Sequence, residues 1–170
     1  MEVYFQTCLR VISVGIGATV AMDLWRFLLL KTIGVSSLDL GLLGRWVGHL
    51  YRGKLFHAPI NKSEPISKEL LIGWLSHYAI GIGFAFLLVS VWGRHWLVTP
   101  TVIPALLIGV GTVFAPWFLM QPAMGMGLAA SKAPKPYQVR LRNIAIHTVY
   151  GAGLYASAVL SNIILPLGMK

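Results

Sequence analysis

Leu70-Leu71-Ile72-Gly73-Trp74-Leu75-Ser76-His77-Tyr78-Ala79-Ile80-Gly81-Ile82-Gly83-Phe84-Ala85-Phe86-Leu87-Leu88-Val89-Ser90-Val91-Trp92 holds no Asp, Glu, Lys or Arg. As a helix rising ~1.5 Å per residue it is long enough to cross a hydrocarbon layer of ~30 Å. Three further runs have the same character, at about 11–30, 102–120 and 144–165. Inside the quoted stretch, His77-Tyr78-Ala79-Ile80-Gly81-Ile82-Gly83 follows the pattern His-x-x-x-Gly-x-Gly. The fourth run repeats it as His147-Thr148-Val149-Tyr150-Gly151-Ala152-Gly153. The first and third runs carry the glycine pair without the histidine, Gly15-Ile16-Gly17 and Gly109-Val110-Gly111. The order plain, His-type, plain, His-type predicts a two-helix unit used twice, a known way of building membrane proteins with a polar site near the repeat interface.

Composition agrees. The chain is 56% hydrophobic and only 11% charged, with a mean hydropathy of +0.73, whereas soluble domains carry roughly 25% charged residues. We expect an all-α integral membrane protein: a bundle of four transmembrane helices made of two tandem helical hairpins. Residues 1–170 form one membrane domain, with repeats at about 7–92 and 100–166. The first run holds Asp23 and Arg26 and lacks a small-residue cleavage site, so it reads as a span and not as a signal peptide. The net charge of +9 does not point to nucleic acid, because of where it lies. Lys31, Arg45, Arg52, Lys54, Lys62 and Lys68 fall between spans one and two, and Lys132, Lys135, Arg140 and Arg142 between spans three and four. The opposite side has Arg10, Arg94 and Lys170. The positive-inside rule then puts both basic loops in the cytoplasm and both termini in the periplasm, with the loops against anionic headgroups. The lone Cys8 reads as a small apolar residue.

The first loop opens with Ser36-Ser37-Leu38-Asp39, a helix start at capping-box spacing. Leu40, Leu42, Leu43, Trp46, Val47 and Leu50 then alternate with Arg45, His49 and Arg52, predicting a short amphipathic helix in the headgroup layer. Gly41, Gly44 and Gly48 would also let it dock closely on the bundle. The short second loop, 93–99, makes spans two and three antiparallel neighbours. In span three, Pro116 removes a backbone donor and leaves the Thr112 carbonyl without its partner, so a kink is expected.

Depth organises the polar residues. Asp23 lies eight residues before Lys31, His77 eight after Glu69, and His147 five after Arg142. All three therefore sit roughly 8–12 Å inside the same boundary, with Pro116 at a similar level. On a helical wheel Gly15, Thr19, Met22, Asp23 and Arg26 share a face. So do Gly73, Trp74, His77, Gly81 and Phe84, and likewise Asn143, His147, Gly151, Leu154 and Ser161. Small residues beside polar ones mark membrane-helix interfaces. Gly15, Gly17, Gly81, Gly83, Gly109, Gly111, Gly151 and Gly153 are thus the expected packing glycines, and Asp23, Arg26, His77, Asn143 and His147 the candidate intramembrane polar site. Val20, Leu24, Phe27 and Leu28 form the lipid face.

Asp23 and Arg26, three residues apart, can pair along one helix. That is either a structural ion pair or a site where Asp23 carries a proton or cation. His77 and His147 are the minimum for bis-histidine haem ligation, and with Asp23 they make a two-His, one-carboxylate set suited to Fe, Mn or Zn. The alternative is that each donates to a carbonyl or carboxylate. Met22, Met120, Met124 and Met126 offer soft thioethers for Cu(I), or simply fill gaps. His49 and His57 are expected to be solvated or interfacial. His-Glu-x-x-His, Gly-x-Ser-x-Gly and Walker motifs are missing, so an enzymatic role could rest only on the Asp/His cluster.

The motifs Gly15–Trp25 (Gly-Ile-Gly-Ala-Thr-Val-Ala-Met-Asp-Leu-Trp), Gly44–His49, Gly73–Tyr78, Gln121–Gly127 and His147–Tyr155 resemble a family of small bacterial inner-membrane proteins known as a domain of unknown function. The resemblance spans roughly residues 10–160. It implies a bacterial multi-span protein and brings no substrate, cofactor or catalytic residue. Three functions stay open. One is handling of a small solute, ion or proton, or scaffolding of a partner, around the Asp/His layer, with homo-oligomerisation to enlarge the path. The second is metal or haem redox chemistry through His77 and His147. The third is a purely structural, lipid-interacting role.

Overall fold

Long apolar runs without internal proline give the three longest helices: α1 (Glu2–Ile33), α3 (Glu69–Trp92) and α7 (Pro136–Ile164). Pro136 stands at the first position of α7, where a missing N–H leaves nothing unsatisfied. The structure is a computed structural model that describes residues 2–34 and 39–164. Between the long helices lie α2 (Leu40–Tyr51), the short α4 (His95–Val98), α5 (Val102–Gly111), a π-helix (Ala115–Met120) and α6 (Gln121–Ala123). The described residues are otherwise loops and two 3₁₀ turns. Among the described residues, four stretches are long and apolar enough to cross a membrane: Tyr4–Ile33, Glu69–Trp92, Val102–Ala123 and Pro136–Ile164.

The helices are arranged α3–α1–α7–α5. Helix α1 packs on both α3 and α7, α7 also packs on α5, and α3 meets α5 only over a short stretch despite the short connection between them. Glycines decide these contacts. A Cβ on Gly15 would lie 2.7 Å from Ile82 Cα, and one on Gly153 would lie 2.9 Å from Ala18 Cα. Gly81 meets Thr19, Gly17 meets Ser157, and Gly109 meets Gly151. Gly83 and Gly111 have open space around them and are exposed. Two residues apart on a helix means roughly 200° of rotation, so one Gly-x-Gly pair serves two opposite neighbours. Helices α1 and α7 have neighbours on both sides and use both glycines. Helices α3 and α5 are at the ends of the row and use one each; expected packing roles for Gly83 and Gly111 do not match this geometry.

Around these contacts Val11, Val14, Ala18, Leu88, Tyr150, Leu154 and Ala158 form the main core. Val20, Leu24, Phe27 and Leu28 are exposed, as the wheel requires. Trp74 is exposed too, at 41%, although its ring stays beside His77, edge to face with 6.4 Å between centroids, on the face the wheel gives them. Arg10 is the larger departure. Instead of a solvated flank charge it is 5% exposed. Its guanidinium donates to the Ser161 carbonyl (3.1 Å), the Leu97 carbonyl (3.4 Å) and the Asn162 side chain, while Asn162 donates to the Val98 carbonyl (3.0 Å). The last carbonyls of α7 have no helical partners, and a cation supplies them.

At the other end α2 docks on the start of α3. Asp39 caps it, accepting from the Gly41 and Leu42 N–H groups at 2.8 and 3.2 Å. Ser36, Ser37 and Leu38 of the expected helix start lie outside the described residues, as do Leu165 and Lys170. Gly44 sits against the Glu69 carbonyl and Gly73 against the Leu40 carbonyl, so neither tolerates a Cβ. Arg45 clamps Glu69 with two parallel bonds of 2.8 Å, the geometry that suits a guanidinium and a carboxylate. Leu40, Leu43 and Trp46 bury against Ala123 and Met124. His49 is one turn beyond Trp46 on that face, so it is buried, not solvated; its Nε2 donates to the Glu64 carbonyl at 2.9 Å. His57 is also buried, with no hydrogen bond to either ring nitrogen. Burial, together with His49 and Lys54, holds its imidazole below the usual range.

Candidate functional site

Where α3 and α5 part, the bundle encloses a chamber of about 570 Å³. Its walls are mostly apolar: Met22, Ile80, Phe84, Pro116, Leu119 and Ile146, with Leu42, Leu43 and Trp46 of α2 roofing one end. His77, His147, Asn143 and Arg26 all reach it. Ile80 and Leu119 line the chamber and are also 44% and 55% exposed, so it opens sideways between α3 and the π-helix.

The chamber exists because span three is interrupted. Helix α5 stops at Gly111, and the Thr112 carbonyl, which Pro116 cannot serve, accepts from the Ala115 N–H at 3.0 Å. The chain then widens into the π-helix, whose Gln121 N–H reaches back to the Pro116 carbonyl. Such π segments recur at functional sites. Here the widened turn rotates Trp117 and Gln121 toward Asn143. The Asn143 amide oxygen accepts from Gln121 Nε2 (2.7 Å) and Trp117 Nε1 (3.2 Å), and its nitrogen donates to the Val139 carbonyl (3.1 Å).

Asp23 is the anchor of the first histidine. Its Oδ1 accepts from Arg26 Nη1 at 2.9 Å and from His77 Nε2 at 3.0 Å. A carboxylate oxygen can only accept, so His77 holds its proton on Nε2 and turns Nδ1 away. The second histidine has a different partner on the equivalent helix: His147 Nδ1 lies 2.9 Å from the Thr112 hydroxyl. Tyr150 completes the inner wall, donating across the bundle to the Gly81 carbonyl at 2.6 Å.

Four of the five residues of the candidate polar site line the chamber, Arg26, His77, Asn143 and His147, while Asp23 stands behind them, bonded to Arg26 and His77; His147 pairs with Thr112, and Asn143 with Gln121 and Trp117. Among the described residues, no three of His, Cys, Asp and Glu converge in a metal-binding group. Thr112, Trp117, Gln121 and Tyr150 escape the sequence reading. Tyr150 stands inside the repeated motif, one turn after His147, and was the most legible of them. Thr112 adjoins the glycine pair of span three.

No curated protein and no solved structure matches this chain. A family model described as "Protein of unknown function (DUF2938)" matches residues 12–161.

Proposed function

The chain belongs to the DUF2938 family of proteins of unknown function, and on that footing we propose that it is a multi-pass membrane protein that takes a small lipid-soluble molecule into the chamber between α3 and α5. The sideways opening at Ile80 and Leu119 carries this reading. An entrance framed by exposed apolar side chains on two candidate spans faces acyl chains, so the molecule that enters arrives from the bilayer. The volume lies within the ~300–1,000 Å³ of small-molecule sites, and apolar walls with a few placed polar groups are their usual make-up.

In the same reading the α2 end faces the cytoplasm of a bacterial inner membrane and the termini face the periplasm. Arg52, Lys54, Lys62, Lys68, Lys132 and Lys135 are exposed on that side and meet anionic headgroups. Arg45 is committed to Glu69 and takes no part. The duplication is part of the reading too. In both halves a glycine of the plain helix crosses the His-type helix one turn after its histidine. In both, a threonine of the plain helix donates back to that glycine's carbonyl: Thr19 to Gly15 at 2.8 Å and Thr112 to Gly109 at 2.7 Å.

The test uses prodan, a neutral lipid-soluble fluorophore, titrated into lipid nanodiscs with and without the full-length protein. Saturable emission sensitised by tryptophan is expected above the empty-disc background. It should be lost in Ala115→Phe, which fills the chamber, while that variant keeps its helicity and melting temperature. Linear partitioning identical in wild type and Ala115→Phe would sink the proposal.

A further inference from the structure

Two hydrogen-bond acceptors have their identities fixed by the protein: one is sealed behind the chamber wall and the other, on His147, defines what the chamber takes. The first follows from Trp117. An indole N–H only donates, so the Asn143 atom 3.2 Å from it is the oxygen. That oxygen also faces Gln121 at 2.7 Å, so Gln121 presents its NH₂ there. Gln121 Oε1 is what remains. The residue is 3% exposed, and Oε1 is buried without a hydrogen bond. The second follows from Gly109. Its carbonyl only accepts, and the Thr112 hydroxyl donates to it at 2.7 Å. With its proton committed, Thr112 Oγ1 accepts from His147 Nδ1 at 2.9 Å. A neutral imidazole protonated on Nδ1 carries a lone pair on Nε2, and His147 lines the chamber.

A buried acceptor left without a donor costs roughly 1–3 kcal/mol, and a donor on the occupant removes that cost. The donor is neutral. Arg26 and Arg142 already bring two guanidinium groups to the lining, and its carboxylate, Asp39, is the cap of α2, so an ammonium ion would add a third cation to a largely apolar space. Phe84 and Tyr150 pack edge to face, 6.3 Å apart, beside these groups, and give a ring or chain an apolar seat.

We infer that the chamber selects a neutral, lipid-soluble molecule bearing a hydroxyl group, a phenol or alcohol, which donates to His147 Nε2. This rests on the chamber reading above and adds the chemical class of its occupant. Sites built to bond a hydroxyl discriminate strongly against the analogue that lacks it, because the site's polar atoms are then left bare.

The experiment is displacement of prodan from the wild-type protein in nanodiscs by 4-heptylphenol and by its methyl ether. The ether partitions better into lipid, so partitioning alone favours it. The phenol is expected to displace at a concentration roughly tenfold or more lower. In His147→Leu, measured against that variant's own prodan titration, the two should come within about threefold. Equal displacement by phenol and ether in the wild type overturns the inference and leaves the chamber reading standing. A phenol preference that survives unchanged in His147→Leu also overturns it. If prodan does not saturate, 4-heptylphenol is titrated directly and read by tryptophan emission, and absence of saturation there as well overturns both readings. The wild-type comparison needs no variant, so a variant that fails to fold does not remove the test.

Discussion

The α1–α3 and α5–α7 contacts use the same backbone device and end in different chemistry. Each brings a glycine of the plain helix against the helix of the His-type motif, and each hydrogen-bonds the histidine to that plain helix. In the first the partner is the carboxylate of Asp23, which also holds Arg26. In the second it is the hydroxyl of Thr112. The carboxylate makes a charged triad whose members depend on one another. The hydroxyl merely sets a tautomer. Two contacts of the same backbone form thus tie one histidine to a carboxylate and the other to a hydroxyl.

The largest effect should come from Asp23. Its side chain is 17% exposed and those of Arg26 and His77 are 15% and 11%, so removing the carboxylate leaves a cation and an imidazole in surroundings that solvate them poorly. Breaking such a pair from one side typically costs 3–5 kcal/mol. We expect Asp23→Ala to lose about that much in a denaturant titration of the detergent-solubilised protein, and Asp23→Asn, which keeps one acceptor, to lose less. If Asp23→Ala proves no worse than a change at Thr112, the contrast between the two contacts collapses.

The glycines test the shared device. Gly15→Ala and Gly109→Ala push a methyl group into Ile82 and Gly151 respectively, and overpacking of this kind costs typically 1–3 kcal/mol. Gly83→Ala and Gly111→Ala meet open space and should be neutral, or stabilising by up to ~1 kcal/mol through helix propensity. Melting of the four variants side by side reads the outcome. Similar losses at Gly15 and Gly109 sharpen the equivalence of the halves; a loss at Gly83 or Gly111 as large as at Gly15 breaks the argument from helix order.

Length and composition made the four apolar helices legible, and depth counting brought Asp23, His77 and His147 to one level because unbroken helices keep a constant rise. The wheel failed where the helix stops being regular. Gln121 and Trp117 reach Asn143 through a turn with i→i+5 bonding, which shifts every later side chain relative to a 3.6-residue count. Proline at 116 signals an interruption but does not say that the chain will widen. Thr112 was illegible for another reason. A threonine in an apolar helix ordinarily bonds its own backbone, as Thr19, Thr32 and Thr148 do, and only the packing of α7 gives this one a second partner. Arg10 looked like a flank charge because nothing local shows that the end of α7 folds over it.

Thr112→Val should have the smallest effect on stability and a decisive one on binding. The isosteric change removes one hydroxyl that both donates to Gly109 and accepts from His147. One such bond contributes about 1 kcal/mol, well below the loss expected at Asp23. The imidazole, however, loses what keeps its proton on Nδ1. In the variant His147 can place that proton on Nε2, where it becomes a donor facing the chamber and no longer accepts a hydroxyl hydrogen. Displacement of prodan by 4-heptylphenol should therefore weaken several-fold in Thr112→Val, while displacement by the methyl ether stays the same or improves, since an ether oxygen can accept from Nε2–H. The mirrored change at the other contact, Thr19→Val, removes a hydroxyl that touches no histidine and should leave both displacement curves in place. If Thr112→Val and Thr19→Val act alike, Thr112 is only a helix-packing residue and the two contacts differ in charge alone.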